Sequence, residues 1–427
     1  MVSVRPFRAT YFNPDEYTEL ERVISPPYDV ISDAGQESLY QQDPHNFVRI
    51  DYGKILPGDD AQENRYTRAK NTLQAWLDSG VLSTEEKPAF YLHNQTFTDK
   101  GKSFTRSDLF VMCQVGDYGP GQVLRHEKTL AGPKADRLAL MTETQAHLSP
   151  VYCVYEDPQQ ALLALFARIA ETDAIFSFDE NDLHHDLYKI TDPQDIQQIQ
   201  DHFESRSLYI ADGHHRYETA RTFSQAHPDQ EAAQYICMYL SALEDPGLVV
   251  WPYHRMVRPS FKWPEWSVFL ERAAQYFTIT AIERSQIQAS LDQVPADGSQ
   301  MHLVIETPAG AWLFTRAAVL PDDIAAERSA TYRHLDVSVL HELILYQLVD
   351  FPTDKAKDPD YIRFSPEVSV LQSYLESEGG VAFYLNATPL QALCQVADEN
   401  ETMPPKSTYF YPKVPSGLIF ACFDSLF

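Results

Sequence analysis

The residues best suited to chemistry lie in one short run, Ile210-Ala211-Asp212-Gly213-His214-His215-Arg216-Tyr217-Glu218-Thr219-Ala220. An apolar stretch that reads as a strand runs into Asp212-Gly213, and a helical pattern begins directly after it. A helix that starts at a turn leaves its first backbone N–H groups without intrahelical acceptors. Those donors, with the helix dipole, make an anion site. Gly213 lets a phosphate approach the backbone closely. His214, His215 and Arg216 add side-chain donors, and a guanidinium can clasp a phosphate through two bonds. The bland alternative is a strand–turn–helix connection with a capping aspartate and solvated histidines. Three such donors crowded into one turn favour phosphate binding. Zinc is the weaker reading, because adjacent histidines at a helix start point apart and no third ligand is at hand. A second histidine pair, His184-His185, sits in an acidic stretch and reads as surface.

The elements that must position this turn can be read on both sides of it. Residues 208–210 form the incoming strand and 216–224 the outgoing helix. Upstream, 134–147 is helical, 151–155 is a short buried strand, and 159–172 is an amphipathic helix. A further helix spans 192–203, with Thr191 as its N-cap. Nearer the N-terminus, 62–79 is a helix with Tyr66, Ala69, Leu73, Trp76 and Leu77 on one face and Gly80 at its end. Residues 90–97 and 103–115 read as strands joined by the turn Asp99-Lys100-Gly101-Lys102. Beyond 260 the pattern changes to a hairpin, 301–306 with 311–316, and a helix at 335–348. Soft boundaries fall at 292–300 and 352–360. The fold class is α/β (α+β) with a mixed sheet. The expected division is an N-terminal segment over 1–110, a core over 110–225 and a C-terminal α/β segment over 226–427.

Composition narrows the partners. Lys and Arg total 34 against 61 Asp and Glu, a formal net charge of −27. Such a chain is repelled by phosphate backbones and anionic lipid, and its densest cationic stretches, 125–128 and 134–137, are diluted by Glu127 and Asp136. Nucleic acid and membrane are therefore not expected as partners. The five cysteines are widely spaced, odd in number and form no Cys-x-x-Cys, which argues against a disulfide framework or a structural zinc site. They read as small buried hydrophobes in a reducing compartment. The start of the chain lacks a long apolar region and no stretch of eighteen apolar residues exists, so a cytoplasmic location without signal peptide or membrane span is expected.

From Val4-Arg-Pro-Phe to Pro412-Lys413 the chain resembles the bacterial and archaeal family called domain of unknown function 1015. The blocks that carry the likeness are Ile24-Ser-Pro-Pro-Tyr-Asp-Val-Ile31, Arg125-His-Glu-Lys-Thr129, Ala211-Asp-Gly-His-His-Arg216 and Met403-Pro-Pro-Lys-Ser-Thr-Tyr409. Within residues 110–225 a deeper likeness emerges. Gly-His-His-Arg-x-x-x-Ala at 213–220 is similar to the phosphate-binding box of the ParB/sulfiredoxin superfamily, and nearest to its free serine kinases, which share Asp-Gly-His-His-Arg. Those kinases also carry a His-Glu dipeptide after a strand, then a helix, then a strand that begins with proline. Here His126-Glu127 precedes the helix at 134–147 and Pro150-Val-Tyr-Cys-Val. The spacing between the boxes is longer, because 156–205 is inserted. Sulfiredoxin chemistry needs a cysteine where this chain has His214, and partition proteins need a cationic DNA-binding module. The resemblance implies a ParB/sulfiredoxin-like core wrapped by the N- and C-terminal segments.

It also implies an activity: a kinase that uses ATP or ADP, with Mg2+, to phosphorylate the hydroxyl of a small metabolite, free L-serine first among them. The alternative is a non-catalytic nucleotide-binding regulator. A ParB-like DNA binder is a third reading, opposed by the charge. Phosphoryl transfer needs the phosphates held, their charge offset and a carboxylate near the acceptor hydroxyl. Gly213, His214, His215 and Arg216, with Thr129 of the other block, would hold the phosphates. Glu127 is the candidate base, or else a glutamate paired with Lys128 or Arg125. His126 would touch the acceptor or a phosphate. Asp212 would organise magnesium through water, or cap the helix. Four residues are assigned to the substrate: Asp29 on the stiff turn after Pro26-Pro27-Tyr28, Arg137 toward a substrate carboxylate, and Lys406 and Ser407 in a loop that, with Thr408 and Lys413, resembles an anion contact without Walker spacing. No metal-ligating set is assigned, and 335–342 is given no chemistry.

Overall fold

Long strands with few breaks dominate the first half of the chain, and they pair into one sheet. The computed structural model describes residues 1–129, 131–294, 300–317 and 320–427 and divides into two units. The first unit holds 1–125, 129–249 and 412–427. Its sheet has nine strands: β1 (Val4–Arg5), β2 (Phe90–Asp99), β3 (Lys102–Gln114), β4 (Val123–Leu124), β5 (Val151–Tyr155), β6 (Phe176–Glu180), β7 (Leu183–Ile190), β8 (Leu208–Asp212) and β9 (Tyr235–Ala242). The order is β4-β8-β5-β9-β3-β2-β7-β6, with β1 also on β3. β8 is parallel to β4 and antiparallel to β5, while β9 is parallel to β5 and antiparallel to β3, so the sheet is mixed. β5 and β9 are buried at every position, which is how strands covered on both faces read. The β2–β3 hairpin closes through Lys100 and Gly101, both at positive φ (47° and 76°), the backbone that a tight two-residue turn requires.

Helices cover the sheet where the apolar periodicity places them. α1 (Arg65–Asp78) buries Ala69, Leu73 and Trp76 and is held at its start by a reciprocal cap between Asn64 and Thr67. α2 (Ala131–Thr144), α3 (Pro193–Phe203) and α4 (His214–Ala226) follow. The cap of α3 is Asp192 and not Thr191: its carboxylate accepts from the N–H groups of Gln194 (2.8 Å) and Asp195 (3.3 Å). The segment read as an insertion supplies β6 and β7, an edge of the main sheet. The end of the chain returns to its beginning: Ser416 bridges Ser25, Phe420 bridges Thr10, and Ala421-Cys422 pairs with Ala146-His147. No division appears at 110, because β3 crosses that residue unbroken, and 225 lies inside α4.

The second unit comprises 126–128 and 250–411. Its sheet is antiparallel throughout, built from β10 (His254–Val257), β11 (Thr278–Ile282), β12 (Gln300–Thr307), β13 (Gly310–Ala317), β14 (Ile362–Ser365) and β15 (Val381–Tyr384) in the order β11-β13-β12-β15-β10-β14. The helix expected at 335–348 is a wide-turned π-helix over Val339–Leu348, preceded by short turns at Ala330–His334 and Asp336–Ser338. Four cysteines are buried and Cys422 is partly so; burial pushes the thiols of Cys113 and Cys237 up to about 12. Among the described residues no helix is long and apolar enough to cross a membrane.

Candidate functional site

The Asp-Gly turn is made where β8 ends. Ile210 opposes Cys153 and Asp212 opposes Tyr152, so the register slips by one residue at Ala211. Such a bulge re-aims the side chains that follow it. Gly213 then takes φ +94°, a left-handed backbone, and α4 begins at His214. Gly213 is the N-cap and supplies no side-chain cap bond. The first main-chain bond of the helix runs from Tyr217 N–H to the Gly213 carbonyl (3.0 Å), so the intervening N–H groups point along the helix start. Arg216 folds back over the glycine: a Cβ on Gly213 would stand 2.9 Å from its Nε. The guanidinium donates to the Pro150 carbonyl and lies 3.7 Å from Asp212, while its Nε is buried with no hydrogen-bond partner. Lys413, from the returning tail, donates to Asp212 at 2.7 Å. A cavity of about 30 Å³, room for one water, opens beside Arg216 and is shared with Ser149 and Thr219. The turn therefore brings two cations, Arg216 and Lys413, to the Asp212 carboxylate beside a glycine at positive φ.

Of the other assigned residues, Arg137 lines the same cavity as Arg216. Thr129 is half-buried in a loop of the first unit. Asp29 is exposed on a short 3-10 turn over Tyr28–Val30. Arg137 is buried and held by protein carboxylates, with Asp51 at 2.9 Å and Asp136 at 2.7 Å, and it stacks on Tyr28 at 3.9 Å. The guanidinium is thus already bonded to two carboxylates of the fold. Ser407 is buried and donates to the Pro404 carbonyl (2.6 Å), a bond within its own loop. Lys406 lies 5.4 Å from the Tyr253 ring centre. His126, Glu127 and Lys128 belong to the second unit. His126 is fully buried, and its carbonyl accepts from Met403 N–H at 2.8 Å. Glu127 lines a pocket of that unit together with Glu342 and Lys357.

Two features escaped the sequence. His185 is not a surface residue. It is fully buried, stacked on Phe178 and bonded to His93 at 3.0 Å, with Glu180 3.5 Å from its other ring nitrogen. Burial pushes the Glu180 carboxyl up to about 7 and the His185 imidazole down to about 4. Alternation along a strand was the available signal, since neighbours in β7 face opposite sides. The polar pocket around Glu127 had no local signal, because apart from Lys128 its other residues come from 328 onward. Among the described residues no group of three or more His, Cys, Asp or Glu is placed to hold a metal.

The sequence matches the family described as protein of unknown function (DUF1015) over residues 4–338. The chain belongs to that family. Among the curated proteins none matches this family member in sequence. Three solved structures are among those to which it is similar. A conserved hypothetical protein from Pyrococcus furiosus is similar at 12% identity and a TM-score of 0.34, over 71% of this chain and 94% of its own. Free serine kinase in complex with AMP is similar at 10% identity and a TM-score of 0.33, over 70% and 89%. SbnI with a C-terminal truncation, from Staphylococcus aureus, is similar at 8% identity and a TM-score of 0.36, over 72% and 85%. Superpositions this loose carry no argument about activity, which is left to the residues.

Proposed function

We propose that this protein is a nucleotide-dependent phosphotransferase that passes the terminal phosphoryl group of ATP or ADP to the hydroxyl of a small metabolite, with free L-serine the first acceptor to try. The observation that carries the reading is the turn at 212–216. A bulged strand delivers a glycine at positive φ to a helix start with no side-chain cap, and Arg216 lies over it with a buried, unbonded Nε. An anion placed there would meet main-chain donors, the guanidinium and Lys413 together, and such preorganised donors are what phosphoryl transfer asks of a protein. Glu127 is assigned the proton of the acceptor hydroxyl. Asp212 is already engaged by Lys413, and among the described residues no group of three or more His, Cys, Asp or Glu is placed to hold magnesium. The metal would come as the counter-ion of the nucleotide, and no step is assigned to it.

The test is an incubation of the protein with ATP or ADP, magnesium and a panel of hydroxy metabolites, followed by phosphorus NMR. A new phosphomonoester signal that requires both nucleotide and one acceptor supports the reading. Nucleotide binding without any such signal supports the non-catalytic regulator instead.

A further inference from the structure

Arg255, on β10, is among the largest fully enclosed side chains of the chain. Its Nε donates to Nε2 of His341 (3.1 Å). One terminal nitrogen donates to the Tyr253 carbonyl (2.5 Å) and the other to the carbonyls of Pro405 and Lys406 (3.0 Å each). Every partner is neutral, and none is a carboxylate. A buried charge with satisfied hydrogen bonds but no counter-charge is costly. Burial pushes the guanidinium down to about 9, against the pull of Glu127 and two tyrosines.

His341 and Pro405, both bonded to Arg255, line a pocket of about 180 Å³ in the second unit. Lys128, Arg328 and Lys357 line it too. Two of these cations resemble Arg255 in being held by backbone carbonyls. Lys357 donates to the Lys128 carbonyl (3.1 Å) and Arg328 to the Thr402 carbonyl (2.8 Å). Among the described residues none of the four forms an ion pair. Burial holds the Lys357 ammonium below its ordinary value; Glu127 opposes this, and Lys406 and Lys128 add to it. Two carboxylates face the same space, Glu127 and Glu342, and Glu342 already accepts from the Tyr332 hydroxyl (2.7 Å). In a chain with a net charge of −27, cations outnumber acids here. That local reversal of sign is the footprint of an anion.

We infer that this pocket binds the phosphate or carboxylate group of a small metabolite, gripped by Lys128, Arg328 and Lys357, with Arg255 behind His341 supplying charge. The volume suits a phosphate ion or a short hydroxy acid and falls below the roughly 300 Å³ at which drug-sized ligands begin to fit. Glu127 gives the rest of such a molecule an acceptor for a hydroxyl or an ammonium group. The site stands whether or not the turn at 212–216 takes a nucleotide.

The experiment is calorimetric titration of the full chain with sodium phosphate and, separately, with sodium glycolate, at constant ionic strength and with sodium chloride as the blank. It is run on wild type and on Arg216→Ala, which removes the guanidinium of the turn. Saturable binding of phosphate alone in both proteins assigns the site to a phosphate ester, and of glycolate alone to a carboxylic acid; either supports the inference. Arg328→Gln and Lys357→Gln should each weaken that binding by about tenfold or more, the loss of one charge-assisted contact. The inference is overturned if neither anion binds wild type saturably, if binding disappears in Arg216→Ala, or if both charge-removing variants bind as wild type does. The wild-type titration needs no variant, so a substitution that fails to fold does not shield the inference.

Discussion

At the scale of single residues, the turn depends on what Gly213 lacks. A side chain there would need a left-handed backbone and would press on Arg216. Gly213→Ala is expected to cost about 1–2 kcal/mol of stability from backbone strain alone, and to blunt the response to nucleotide by displacing the guanidinium. Thermal melting with and without ADP reads both effects. Glu127→Gln keeps the size of the side chain and removes its basicity. A general base contributes about a hundredfold to ten-thousandfold, so turnover should fall by at least the lower figure while nucleotide affinity holds. Equal turnover in the variant would remove Glu127 from the mechanism. Glu180 makes a prediction in pH. Its carboxyl titrates near 7 in the fold against an ordinary value of 4.5, so the folded state holds a proton that the unfolded chain has released. Its contribution to stability is complete below about 4.5 and is lost as the pH rises toward 7. Glu180→Gln should therefore gain on wild type across that window and run parallel to it below. A difference that stays flat from pH 4 to 8 would contradict the assignment.

Elements explain what could be read from the sequence and what could not. The strand, the Asp-Gly punctuation and the helix of the turn were legible because two periodicities meet at a glycine, and each is local. The face of α1 was legible for the same reason. Arg137 was not. Whether a helical arginine looks toward a ligand or a buried carboxylate depends on Asp51, which lies 86 residues earlier. Lys413 was singled out with a loop, and the loop divides: Lys413 reaches Asp212, while the carbonyls of Pro405 and Lys406 serve Arg255. The segment 156–205 was read as an insertion because it lengthens the spacing between the two boxes. Its helix over Ala161–Ile169 has a strong anchor that the sequence did not announce. Asp157, fully buried, accepts from the N–H groups of Ala161 (2.9 Å), Leu162 (2.9 Å) and Leu163 (3.3 Å). Asp157→Ala should cost about 2 kcal/mol, near the top of the range for a lost N-cap, because three donors lose their acceptor and that of Leu162 is enclosed. Urea unfolding of wild type and variant measures it, and a loss below roughly 0.5 kcal/mol, the level of an ordinary surface substitution, would mean that the cap is dispensable.

For the whole molecule, the charge sets which partners can approach. At −27 the chain should not bind duplex DNA at physiological salt, since counter-ion release cannot drive the encounter. A salt-sensitive gel shift would contradict this and revive the partition-type reading. The same charge makes the two cationic places more telling: the Arg216–Lys413 turn of the first unit and the Arg328–Lys357 pocket of the second. Membership of the family of unknown function fixes kinship and leaves the chemistry to these residues. The central claim is that the 212–216 turn holds the phosphates of a nucleotide, and calorimetric titration of ADP and ATP into wild type and Arg216→Ala tests it most directly. The account predicts saturable binding to wild type and at least about a tenfold loss in the variant, with the melting temperature of the nucleotide-free variant close to that of wild type. Undiminished nucleotide affinity in Arg216→Ala would contradict the account and place the phosphate site elsewhere in the chain.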